Sequence, residues 1–140
     1  MTIDDCRTIQ LPKIQDDRGN LTFVESRRHV PFPVLRVYWL YDVPGGEYRS
    51  GHGYRTLDEF VIALSGSFDV EVDDGANRKI VPLNRSYYGL HVRPGIWRQF
   101  RNFSTNAVGL VLASGPYDED DYFRDYDGYV NFRRGYNDGR

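Results

Sequence analysis

A histidine, a tyrosine, two arginines and two carboxylates lie within Arg49 to Glu59 (RSGHGYRTLDE), and the chain then runs straight into the apolar segment FVIAL. Imidazole accepts a proton near neutral pH without large tuning. Phenol and guanidinium groups beside it are donors for an oxyanion that develops as a C–H bond breaks. The set therefore suits proton transfer next to a ketone. Polar groups leading into an apolar, β-prone run read as the mouth of a small barrel, whose strands alternate inward and outward residues.

The elements that must position these groups are strands. Period-two alternation and turn signals dominate, and helical periodicity is nearly absent. Strands are predicted over Cys6–Leu11, Leu21–Glu25, Val34–Tyr41, Phe60–Leu64, Phe68–Val72, Arg78–Pro82, Tyr87–Val92, Trp97–Phe103 and Ala107–Ser114. Turns are predicted at Asp16–Asn20, Val43–Gly46 and Asp73–Gly75. In Phe68–Asp73, Phe68, Val70 and Val72 face one side while Asp69, Glu71 and Asp73 face the other, the pattern of a half-buried strand. Regular short strands of this kind signal an all-β sandwich or barrel. From Tyr117 onward the chain is acidic and tyrosine-rich, and is expected to hold a short helix or to wrap over the barrel.

At 140 residues the chain fits one domain, 1–140, with a real core. A single cysteine, Cys6, excludes an internal disulfide and fits a reducing compartment. The N-terminal residues lack the basic and apolar regions of a signal peptide, and no apolar run approaches the roughly 20 residues that span a bilayer. A soluble, cytoplasmic protein without membrane or nucleic-acid partners is expected, since the net charge is −2 and no basic block exists. Of 18 basic residues only Lys13 and Lys79 are lysine. Arginine forks grip phosphates at two points, but a genome rich in arginine codons accounts for the bias equally well. Aromatics reach 15%, with 11 tyrosines, which fits a ring-lined pocket, a tyrosine-rich core or a dimer interface.

His52, Tyr54, Glu59 and Gly66 resemble the first conserved motif of the cupin superfamily, with Tyr54 in the place of its second histidine. Gly89, Pro94, Gly95, Arg98 and Asn102 loosely match the second motif, with Arg98 in a histidine position. A metal-binding cupin needs three histidines and a carboxylate. Here His52 and Glu59 are left, and a guanidinium in the shell repels a cation. No metal and no cofactor are expected. His29 and His91 have no comparable neighbours and read as ordinary histidines, and Asp118–Asp121 as a solvated surface or C-terminal cap.

Within the cupins the chain is similar to the sugar 3,4-ketoisomerases that act on dTDP-4-keto-6-deoxyglucose, in the WxcM-like group. The resemblance runs through D-x-R-G at Asp16–Gly19, Pro31-Phe32, R-V-Y at Arg36–Tyr38, R-x-G-H at Arg49–His52, ALSGSFDVEVDDG from Ala63, Trp97, Phe103-Ser104, VLAS from Val111 and YDEDDYFRDYD from Tyr117. It implies a homodimer of double-stranded β-helix (jelly-roll) subunits that binds a dTDP-linked 4-keto-6-deoxy sugar and serves deoxyamino-sugar biosynthesis. It also implies catalytic roles for His52 and Tyr38. Tyr54 stands where the family's second histidine would be, and Glu59 where many members have glutamine. Tyr54 is then a base of lowered pKa beside Arg49, Arg55 or Arg98, a donor to the enediolate, or the mark of altered or lost chemistry. Arg36 and Arg49 match family arginines and are candidates for the diphosphate. Arg18 and Arg98 are placed along the site, with Trp97 or Tyr88 against a base or sugar. A related cupin that epimerises or reduces the same ligand class, or binds it without catalysis, remains the alternative.

Overall fold

The computed structural model of the chain describes residues 1–137. Twelve strands are present there: β1 Arg7–Gln10, β2 Lys13–Asp16, β3 Gly19–Thr22, β4 Arg36–Leu40, β5 Arg49–Tyr54, β6 Glu59–Ser65, β7 Phe68–Asp73, β8 Arg78–Leu83, β9 Tyr88–Val92, β10 Trp97–Arg101, β11 Val108–Ala113 and β12 Tyr122–Phe123. One helix, α1 Tyr126–Asn137, follows. The strands form two antiparallel five-stranded sheets, β1-β9-β6-β11-β4 and β12-β5-β10-β7-β8, with β2-β3 as a separate hairpin. This is the cupin-like arrangement, two sheets closed over a shared interior.

Alternation builds that interior. Phe68, Val70 and Val72 of β7 are buried, as their period predicts, and pack with Leu83, Phe100, Val61, Leu90 and Val111 from both sheets. Each such side chain contributes about 1.5–3 kcal/mol relative to exposure. Asp73 departs from the expected polar face. It is buried, accepting from the Gly75 N–H at 2.7 Å and the Tyr126 hydroxyl at 2.7 Å, because α1 covers that end of β7.

Strands β2, β3 and β5 differ from expectation for local reasons. The turn is tighter than predicted: Asp16 pairs with Gly19, whose φ is +124°, so β3 starts at the glycine and ends at Thr22 rather than spanning Leu21–Glu25. Its partner β2 is exposed along its length, so burial leaves no apolar mark on it. β5 carries Gly51 and Gly53, which lower strand propensity. At Gly53 a Cβ would lie 3.0 Å from the Ile96 carbonyl oxygen, so the close approach of β10 requires glycine there.

After β11 the chain crosses back over the barrel mouth as a strap and pairs Tyr122 with Tyr54 and Phe123 with Gly53. Asp121 fixes it, its carboxylate accepting from Thr56 N–H (2.9 Å), Thr56 Oγ1 (2.8 Å) and Leu57 N–H (3.2 Å). The acidic run is thus solvated at Asp118–Asp120, while Asp121 is a buried anchor. Among the described residues no helix is long and apolar enough to cross a membrane.

Candidate active site

A cavity of about 450 Å³ opens at the barrel mouth between β4, β5 and the strap. On β4, Arg36 and Tyr38 alternate inward while Val37 and Trp39 turn out to solvent. His52 and Tyr54 share the inward face of β5 for the same period-two reason and are 8% and 3% exposed. The strap adds Tyr122 and Arg124, and Arg49 stands at the rim.

Behind this wall lies a buried ion pair. Arg98 donates to Glu59 Oε1 from Nε at 2.8 Å, with Nη2 at 2.7 Å, and both side chains are essentially inaccessible. Tyr38 donates to Glu59 Oε2 at 2.6 Å and accepts from Arg98 Nη2 at 2.8 Å. Two ionised groups taken out of water hold only when their remaining bonds are made, and here they are.

His52 continues the network toward the cavity. Its Nδ1 faces Arg98 Nη1 at 3.5 Å and its Nε2 faces Tyr54 Oη at 2.9 Å. Tyr54 donates onward to Tyr122 Oη at 3.3 Å. Burial, then the charges of Arg98, Arg124 and Arg36, push the His52 pKa down to about 2, so the ring is neutral and in its base form. Burial, then the Glu59 charge, push Tyr54 above the ordinary phenol range, and burial does the same to Tyr38. The neighbouring arginines therefore do not make Tyr54 a low-pKa base. It is a protonated donor.

Residues 4–134 match the family model described as FdtA: WxcM-like, C-terminal. A TDP-4-oxo-6-deoxy-alpha-D-glucose-3,4-oxoisomerase of Aneurinibacillus thermoaerophilus is 37% identical over 126 residues, covering 90% of this chain and 91% of that one. The chain belongs to the WxcM-like FdtA family. A 3,4-ketoisomerase of Helicobacter canadensis shares the fold of this family member with a TM-score of 0.90 at 35% identity, over 93% of this chain and 98% of its own. A sugar 3,4-ketoisomerase of Thermoanaerobacterium thermosaccharolyticum, solved with TDP, matches with a TM-score of 0.90 at 35% identity, over 93% and 95% of the two chains.

The FdtA-family barrel brings together His52, Tyr38, Tyr54, Arg36 and Arg49 at one cavity, as expected. Glu59 and Arg98 belong to the cluster but lie behind the lining, where they hold Tyr38 and face His52 rather than the cavity. Trp97 is placed elsewhere. Its neighbour Arg98 takes the inward position on β10, so the indole turns out and packs on Tyr126 and Tyr129 of α1 at 5.4 and 5.7 Å. Tyr88 is tied to the Pro82 carbonyl and Asn84 Oδ1. Arg18 sits at the β2–β3 turn with its side chain 90% exposed, paired with Asp16 at 2.8 Å and outside the cavity of its own chain. Arg55 lies over Phe123 at 4.0 Å, facing away from Tyr54.

His91 is also less ordinary than its sequence neighbours imply, since its Nε2 meets Asp58 Oδ1 at 2.7 Å. Tyr122 and Arg124 join the site only in the folded chain. A two-residue strand leaves no periodic signal in the sequence; both residues fall within the YDEDDYFRDYD segment that carries the resemblance.

Proposed function

We propose that this protein moves the carbonyl of a dTDP-linked 4-keto-6-deoxy hexose from C4 to C3 through an enediolate, without a cofactor. The observation that carries the reading is His52, a neutral, buried imidazole at the floor of a cavity walled by arginines and protonated phenols, in a chain of this family. A histidine-to-asparagine mutant of the Thermoanaerobacterium enzyme was solved with TDP-4-keto-6-deoxyglucose, which supports the ligand class.

The adjacent ketone acidifies the C3 proton, and His52 takes it. Tyr38 stands beside the reacting oxygens and relays the hydroxyl proton from O3 to O4, with Glu59 as its acceptor behind. Arg36 and Arg49 grip the diphosphate, joined by Arg124 on the strap. Among the described residues Arg36 Nε is a buried donor without a hydrogen-bond partner, which leaves it available to a phosphate oxygen. Arg36 and Arg124 are also among the charges that depress His52. A diphosphate that neutralises them makes the imidazolium less costly, so substrate binding itself strengthens the base.

Two copies complete this reading. The β2–β3 hairpin carries exposed Ile14 and Leu21, both 55% accessible, and β4 exposes Trp39 and Val37, the latter lining a groove of about 760 Å³. An isolated two-stranded hairpin is marginal in water, and a second copy covers both surfaces. Arg18 then serves a site only by reaching the cavity of the partner. Sedimentation of the free protein tests the pairing, and a monomer refutes it.

The reaction is tested by incubation with dTDP-4-keto-6-deoxyglucose and NMR of the product. A 3-keto sugar supports the isomerase. Epimerised 4-keto sugar, or binding of dTDP with no change in the sugar, assigns the chain to one of the alternatives.

A further inference from the structure

Arg36, Arg49 and Arg124 line the mouth cavity, and among the described residues Arg124 is the one of these already gripped by a carboxylate. Glu119 holds it at two points, accepting from Nε at 2.5 Å and from Nη2 at 2.8 Å. The Tyr117 hydroxyl donates to the same carboxylate. An arginine fork meets carboxylate and phosphate oxygens with the same two-point geometry. Glu119 therefore sits on Arg124 as a pair of phosphate oxygens would. The Arg124 fork, and then the Tyr117 hydroxyl, hold its carboxyl down to about 2, so it is charged at neutral pH.

This contact opens without unseating the strap. The two side chains are 52% and 53% exposed, so solvent and ligands reach both. The backbone on either side is secured by other bonds: the Asp121 carboxylate accepts from Thr56 and Leu57, and Tyr122 and Phe123 pair with β5. Arg124 stays at the cavity when Glu119 turns away, because its guanidinium lies over the Tyr122 ring, 4.1 Å from the centroid. Asp118 and Asp121 of the same acidic run are engaged elsewhere, Asp118 accepting from the Asp120 N–H at 3.1 Å and Asp121 anchoring the strap.

We propose that Glu119 is an internal competitor for the strap arginine: it occupies Arg124 in the empty site, and a nucleoside diphosphate must displace it to be held there. The inference rests on the reading above of Arg124 as a diphosphate ligand. Apparent affinity falls in proportion to the fraction of molecules whose binding group is free. The carboxylate therefore weakens the hold on the sugar nucleotide, and it returns to Arg124 as the product leaves.

The test is calorimetry with dTDP on the wild type, Glu119→Gln, Arg124→Met and the double variant, with steady-state kinetics on dTDP-4-keto-6-deoxyglucose. Glu119→Gln keeps the shape of the side chain and removes its charge. It is expected to bind dTDP several-fold tighter, with a matching fall in KM and no gain in kcat. Arg124→Met is expected to bind several-fold more weakly, and Glu119→Gln added to it is expected to change nothing further, since the competitor acts through Arg124. Amide exchange at Tyr122 and Phe123 is expected to stay as in the wild type in Glu119→Gln. Unchanged dTDP binding by Glu119→Gln overturns the proposal, and so does weaker binding with faster exchange, which makes the carboxylate a support of the strap. Equal tightening in the Arg124→Met background overturns it too, as a general effect of charge. Wild-type dTDP affinity in Arg124→Met removes Arg124 from the diphosphate site, so that reading itself fails and this inference with it.

Discussion

Arg98 Nη1 points at His52 Nδ1 across 3.5 Å, from a guanidinium that is itself fully buried. A cation placed behind a base is an unusual choice, since it opposes protonation. It keeps the imidazole uncharged while the site is empty. In the proposed reaction it also makes the imidazolium a stronger acid.

Replacing that base is the first check. His52→Asn keeps the approximate shape of the side chain but removes the proton acceptor, and general-base catalysis typically contributes about 10²–10⁴-fold. Turnover is expected to fall by at least that factor while dTDP affinity, measured by calorimetry, changes little. Full activity in the variant removes His52 from the mechanism.

The depressed His52 pKa has a thermodynamic consequence with a definite sign. The unfolded chain takes up a proton at the ordinary histidine value of 6.5, whereas the folded chain resists until about 2. Stability from this group is therefore complete above the unfolded value and declines as the pH falls below it, by about 1.4 kcal/mol per unit. Between pH 7 and pH 5 the wild type is expected to lose about 1–2 kcal/mol more than His52→Asn. Urea titrations at the two pH values measure the difference, and parallel losses contradict the assignment.

Arg98→Leu leaves Glu59 buried beside Tyr38 without its cation. Breaking a buried pair from one side costs about 3–5 kcal/mol, so a large drop in denaturation midpoint is expected. Glu59→Leu with Arg98→Met removes both charges and is expected to recover much of the loss without restoring turnover.

For Arg36→Ala the expected signature is in binding. Loss of a charge-assisted bond of about 1.5–3 kcal/mol raises KM about 10–100-fold, and added salt weakens the wild type more than the variant. An unchanged KM for the sugar nucleotide excludes Arg36 from the diphosphate site.

Asp121→Ala removes three hydrogen bonds from the strap and leaves the barrel strands untouched. Amide exchange at Tyr122 and Phe123 is expected to accelerate, and activity to fall with Tyr122 displaced from Tyr54. Unaltered exchange there means that β12 holds without its anchor.

Most of the barrel was legible in the sequence because burial writes a period-two signature, clearest in Phe68, Val70 and Val72. The β2–β3 hairpin was misplaced because its four-residue strands are exposed along most of their length and carry no such signature. His52, Tyr38, Tyr54, Arg36 and Arg49 were found by residue type and by likeness to a family, and they converge. Trp97 failed the same test because alternation gives the inward position on β10 to Arg98. Neither the Tyr122 contact nor the His91–Asp58 pair was readable. They join residues 68 and 33 positions apart, and only the folded chain sets such distances.

The strap has a consequence for biosynthesis. Residues 36–113 make up most of the barrel, whereas Tyr122 and Arg124 follow it in the chain and leave the ribosome later. A nascent chain that has gathered its strands only through β11 therefore lacks one wall of the mouth cavity. Truncation shortly after β11 therefore leaves the barrel with an unfinished mouth.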